Sequence, residues 1–146
     1  MIKLTNRLTL FLGSLLIAIG VQAQVTVDPA FPTADDNVVI TFDASGGNGA
    51  LAGVSPIYAH TGVITSNSTT GNDWKYVQGN WGIDDASVLM NSQGGDIHTI
   101  SFNIRNYYDI PANEEVLSMA FVFRNEDGTV VGRSTDGSDI FYPVYT

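Results

Sequence analysis

The sequence predicts an all-β domain, two antiparallel sheets packed as an immunoglobulin-like sandwich behind an export signal. Three observations lead there. Apolar residues alternate in short runs, the pattern of half-buried strands. Clusters of Gly, Asn, Asp and Pro separate those runs at turn-like intervals. No stretch after residue 23 repeats apolar residues at helical spacing.

The strands follow in order. Val25 to Val27 opens the domain and Asp28-Pro29 closes it. In Asn37 to Asp43, Val38, Ile40 and Phe42 share one face and Val39, Thr41 and Asp43 the other. Residues 44–55 hold four glycines and read as a mobile loop. Ile57 to Ile64 is a strand, with Pro56 at its start, where a missing amide costs little. A polar turn over 66–73 leads to a strand at Trp74 to Val77. A loop over 80–85 precedes a short strand, Ser87 to Met90. Gly94-Gly95 marks a hairpin into Ile97 to Ile104. Residues 106–115 are irregular. Val116 to Arg124 is apolar on both parities, as befits a central strand covered on both faces. Asp127-Gly128 supplies the next hairpin turn, Thr129 to Arg133 returns, and Ile140 to Tyr145 ends the sheet. Eight or nine such strands suit a two-sheet sandwich, with a closed barrel as the alternative.

The leader is read from residues 1–23. Lys3 and Arg7 precede an apolar run from Leu8 to Val21, too short at 14 residues to span a ~30 Å hydrocarbon core. Val21-Gln22-Ala23 supplies small residues where a signal peptidase needs them, placing the cut after Ala23. The expected product, residues 24–146, is a single secreted, periplasmic or extracellular domain with no membrane insertion. The sequence holds no cysteine, so its 123 exported residues rely on their core rather than on disulfides.

Charge narrows the partners. Those 123 residues carry all 15 acidic side chains and four basic ones, Lys75, Arg105, Arg124 and Arg133, a net charge of −11. Such a surface repels nucleic-acid phosphates and anionic lipid. It tolerates neutral partners such as sugars, or calcium.

Catalytic signatures are sparse. The sequence contains neither a Gly-x-Ser-x-Gly elbow, a His-Glu-x-x-His helix nor a phosphate loop. Carboxylates abound, yet a glycosidase pair needs concave walls that a small sandwich has little material to build. The expectation is a non-enzyme. His98 shares parity with Ile100 and Phe102 and reads as a structural core histidine.

The segment from Ile57 to Trp81 carries the binding candidates. Tyr58 and His60 lie two residues apart, hence on one strand face, and so do Trp74 and Tyr76. Neighbouring strands would join these rings into one exposed shelf, with Trp81 in the next loop. Aromatic faces stack on the C–H faces of sugar rings, and Lys75, Asp73, Gln78 and Asn80 are placed to bond hydroxyls. The other reading puts the same rings in the core of a structural or protein-interaction module. Asp136 and Asp139 flank a turn where two carboxylates and backbone carbonyls suit calcium; a plain solvated turn is the other reading. Asn67-Ser68-Thr69 fits the glycosylation acceptor pattern.

The blocks Tyr58-Ala-His60-Thr-Gly62, Asp73-Trp74-Lys75-Tyr76-Val77, Asn80-Trp81-Gly82, Phe102-Asn-Ile104-Arg105 with Tyr107-Tyr108, Ala120-Phe-Val-Phe123-Arg-Asn125 and Asp136-Gly-Ser-Asp139 carry a resemblance. In order and type they resemble the N-terminal non-catalytic module of secreted Bacteroidetes α-amylase-type glycosidases. That module is similar to the starch-binding modules of carbohydrate-binding families 25 and 26. The resemblance spans nearly all of residues 24–146. It implies an immunoglobulin-like sandwich that contacts α-glucan without hydrolysing it, as an accessory to a glycosidase catalytic domain. By motif position it puts His60 and Trp74 forward, with Tyr58 and Trp81 as partners. The loop between His60 and Trp74 is longer than the starch-binding pattern.

Overall fold

The computed structural model describes residues 24–146; the signal-peptide reading falls on residues 1–23, outside the described residues. Among the described residues no helix is long and apolar enough to cross a membrane.

Nine strands and one short helix make up these residues. They are β1 (Val25–Asp28), β2 (Asn37–Asp43), β3 (Tyr58–Thr65), β4 (Lys75–Gln78), β5 (Asn91–Gly94), β6 (Ile97–Asn103), α1 (Ile104–Tyr108), β7 (Val116–Arg124), β8 (Val131–Gly132) and β9 (Ile140–Pro143). One sheet has the order β1-β2-β6-β5. The other runs β4-β3-β7, with β8 and β9 both pairing along the far edge of β7. All these strand pairs are antiparallel, so the fold is a two-sheet β-sandwich.

Alternation along each strand builds the core. Val38, Ile40 and Phe42 of β2 face Met119, Phe121 and Phe123 of β7 across the sandwich, all buried. Phe42 stacks on Phe123 with ring centroids 3.8 Å apart. As expected, β7 is central and its last six residues are buried on both faces. His98 does lie on the core face, paired with Phe42.

Three local expectations change. The glycine-rich segment is anchored: Leu51 is fully buried in the core and the Asn48 amide donates to the Arg133 carbonyl. Ser87 to Met90 makes only an isolated bridge, Leu89 to Tyr58, while Asn91–Gly94 forms an exposed, all-polar edge strand. Edge strands need no apolar face, so alternation does not reveal them. Finally, Ile104–Tyr108 is helical. Asn103 caps it by accepting from the Asn106 amide, Asp109 ends it in the left-handed region, and only Ile104 and Tyr108 are buried. One apolar pair four residues apart is too short a signal to register as a helix.

Candidate ligand-binding site

The outer face of the five-stranded sheet carries the site. In β3, Tyr58, His60 and Gly62 point outward, since Ala59, Thr61 and Val63 alternate into the sandwich. Across the ladder they meet Arg124, Val122 and Ala120 of β7, and Ala120 in turn meets Phe141 of β9. Gly62 and Ala120, small and adjacent, leave a trough in this face. Trp74 lies over it, with its Cε3 only 3.3 Å from where a Cβ on residue 62 would stand.

A line of rings results. Phe141 meets Trp74 edge-on at 6.3 Å, Trp74 lies 6.1 Å from His60 at a shallow 29°, and Trp81 stands 5.2 Å from His60 at 87°. The two indoles are therefore steeply inclined, with the imidazole between them. His60, Trp74 and Trp81, together with Asn72, Val122, Arg133 and Asp139, line an open cleft of about 300 Å³, and Phe141 backs Trp74 from outside it. Arg133 and Asp139 form an ion pair at its rim.

The sequence-derived residues divide. His60, Trp74 and Trp81 converge on the cleft, with Trp81 46% exposed. Tyr58 shares the face of His60 but is only 2% exposed, which corrects its place on an exposed shelf. Its ring lies under the Arg124 guanidinium at 4.7 Å and its hydroxyl donates to Asp84 at 2.8 Å, so the loop over 80–85 covers it. That hydrogen bond, with burial, pushes the Tyr58 hydroxyl up to about 12. Tyr76 turns the other way. A bulge in the β3–β4 ladder and a φ of 51° at Tyr76 break the two-residue parity with Trp74. Its ring packs on the core and its hydroxyl donates to Glu114 at 2.5 Å.

Lys75 is spent on Asp73 at 2.9 Å, and the Thr69 amide and hydroxyl together with Lys75 hold the Asp73 carboxyl at about 2. Gln78 donates to the Tyr76 carbonyl and Asn80 to Asp85, so neither lines the cleft. The polar work falls to Asn72, Arg133 and Asp139. Asp136 and Asp139 do not converge: Asp136 accepts from Ser134 and Ser138, and Asp139 accepts from Arg133. Among the described residues no three His, Asp or Glu side chains gather as metal ligands.

Sequence reasoning missed Phe141, Arg133 and Arg124. Each joins the site through strand order and loop packing between distant segments, which local spacing does not encode. Only the odd parity of Phe141 between Ile140 and Tyr142 hinted at an outward ring.

Electrostatically the cleft centre is neutral. Burial first, then the Arg124 charge, holds His60 below the ordinary histidine value, and its Nδ1 is buried without a partner. A neutral imidazole between two indoles, with amide, guanidinium and carboxylate groups at the rim, suits an uncharged polyol better than an ion.

Fold and cleft define an all-β sandwich with an aromatic-lined cleft on one outer face. Residues 25–131 match the family described as Domain of unknown function (DUF8578), and the chain belongs to that family. The match contains His60, Trp74 and Trp81; Arg133, Asp139 and Phe141 lie beyond it. No curated protein matches the chain.

Proposed function

We propose that this protein is an exported, non-catalytic module that binds an uncharged glycan, an α-glucan of the starch or glycogen type, in the cleft of His60, Trp74 and Trp81. One observation carries the reading: two indoles flank a neutral imidazole in one open cleft, their planes steeply inclined. A flat, ribbon-like glucan presents coplanar faces and cannot stack on both indoles, whereas a curved α-glucan turns successive residues towards each. Asn72 and the Arg133–Asp139 pair supply hydroxyl donors and acceptors at the rim. The resemblance to starch-binding modules of secreted glycosidases agrees, and makes a glycosidase catalytic domain the natural partner. The net charge of −11 on residues 24–146 opposes nucleic acid and anionic membrane as alternatives.

The second reading, a structural or protein-interaction module, rests on the burial of Tyr58 and on Trp74 lying against Gly62 and Phe141. Affinity electrophoresis in glycogen or amylopectin gels separates the two. The glycan reading expects retardation of the wild type and its loss in a folded Trp74→Ala variant, with no reducing sugar released from starch. Unretarded wild type, or a Trp74→Ala chain that unfolds, favours the structural module.

A further inference from the structure

Arg124 is the last residue of β7 and is fully buried. A buried cation is costly unless its donors are satisfied. Among the described residues the ion pairs join Lys75 to Asp73, Arg105 to Asp35 and Arg133 to Asp139, and none includes Arg124. Its two Nη groups instead donate to main-chain oxygens of two separate loops, while Nε is buried without a partner. Nη1 donates to the Asn125 and Glu126 carbonyls at 2.9 and 2.7 Å. Nη2 donates to the Asn80 and Ile83 carbonyls at 2.8 and 2.9 Å. The cation also sits 4.7 Å from the Tyr58 ring centroid and 5.8 Å from that of Trp81.

These contacts bracket the indole. Asn80 and Ile83 enclose Trp81 in sequence, so fixing their carbonyls fixes the backbone that carries it. The hairpin turn tied to the same guanidinium forms the other wall: a Cβ on Gly128 would stand 2.4 Å from Trp81 Nε1. The loop has little apolar anchorage of its own, since Trp81 and Ile83 are 46% and 53% exposed.

We propose that Arg124, which is buried beneath the loop and does not line the cleft, is the positioning residue that holds Trp81 at the imidazole of His60 and so completes the binding face. The role in binding rests on the glycan reading above; the placement of Trp81 does not. Lysine cannot substitute. One ammonium with three donors cannot serve four carbonyls on two loops, whereas a planar fork with five donors can.

The test uses the two tryptophans separately. Trp74→Phe leaves Trp81 as the sole indole. Adding Arg124→Lys to that background should shift its emission to the red and at least double its acrylamide quenching, with strand circular dichroism retained. With Trp74 intact, Arg124→Lys should weaken glycogen binding about tenfold. Trp81→Ala combined with Arg124→Lys should bind no more weakly than Trp81→Ala alone, because both remove one interaction. A general folding role predicts the opposite: unchanged quenching, and the same loss whether or not Trp81 is present. That result overturns the proposal. Should Arg124→Lys fail to fold, NMR of the ¹⁵N-labelled wild type decides. It should show exchange-protected Arg124 Nη protons with cross-relaxation to the Trp81 ring, and their absence overturns the proposal equally. Altered Trp81 quenching in a protein that binds no glucan removes the glycan reading and keeps the placement. Glucan binding sensitive to Trp74 but indifferent to Arg124→Lys removes the positioning role alone.

Discussion

Gly62→Ala isolates the trough beneath Trp74. Gly62 lies within β3 without a positive φ, so alanine meets no backbone penalty there. Removing a strand glycine should by itself stabilise the protein by roughly 0.5–1 kcal/mol. The space argues the other way. The new Cβ would stand 3.0 Å from the Lys75 carbonyl oxygen, 3.2 Å from Val77 Cγ2 and 3.3 Å from Trp74 Cε3. Ordinary carbon contacts are about 3.5–4.0 Å, so the indole and Val77 must retreat by a few tenths of an ångström. Overpacking of this kind costs about 1–3 kcal/mol, which outweighs the gain and leaves a net loss near 1 kcal/mol. For a domain of this size that is a fall in Tm of about 4 °C. Thermal unfolding followed by circular dichroism measures it, and tryptophan emission reports the lifted ring. A variant as stable as the wild type, with unchanged emission, would refute the account of the trough.

Other outcomes follow from the same structure. His98 is buried with both ring nitrogens unpartnered, so His98→Leu should raise stability by about 1 kcal/mol in denaturant titrations at pH 7. Burial also lowers the His98 pKa below its unfolded value, so the neutral ring's contribution is complete above about pH 7.5 and is lost as pH falls below about 6.5. His98→Leu should therefore flatten the stability profile between pH 7 and 5. Glu114 accepts from the Thr65 and Tyr76 hydroxyls, which hold its carboxyl below the ordinary glutamate value. Its contribution is present at neutral pH and lost as pH falls through that lowered value, so Glu114→Gln should cost stability at pH 7 and progressively less as the medium is acidified below the ordinary glutamate range. Phe141→Ala removes the ring against the edge of Trp74, a contact of about 0.5–1.5 kcal/mol, and should weaken glucan retardation two- to tenfold in a folded protein.

The sandwich was legible because its inner faces obey alternation: Val38, Ile40 and Phe42, or Met119, Phe121 and Phe123, announce their strands one by one. The site was legible only where parity survives. His60 sits on the face that its spacing from Tyr58 requires, yet the same spacing says nothing of the loop that folds back over Tyr58. Trp74 and Tyr76 diverge because a bulge and one left-handed residue reverse the pleat, and no residue type there announces either. Trp81 lies in a loop, and its place depends on Arg124, 43 positions away in sequence. Arg124 itself looked like an ordinary charged end to an apolar strand.

Arg124 gives its hydrogen bonds to main-chain oxygens alone, those of Asn80, Ile83, Asn125 and Glu126. The grip is blind to the side chains at those four positions. Mutational drift can therefore rewrite the loop's decoration while its perch stays put. A lineage carrying this arginine inherits a mount on which new ligand preferences can be tried without rebuilding the β-sandwich beneath.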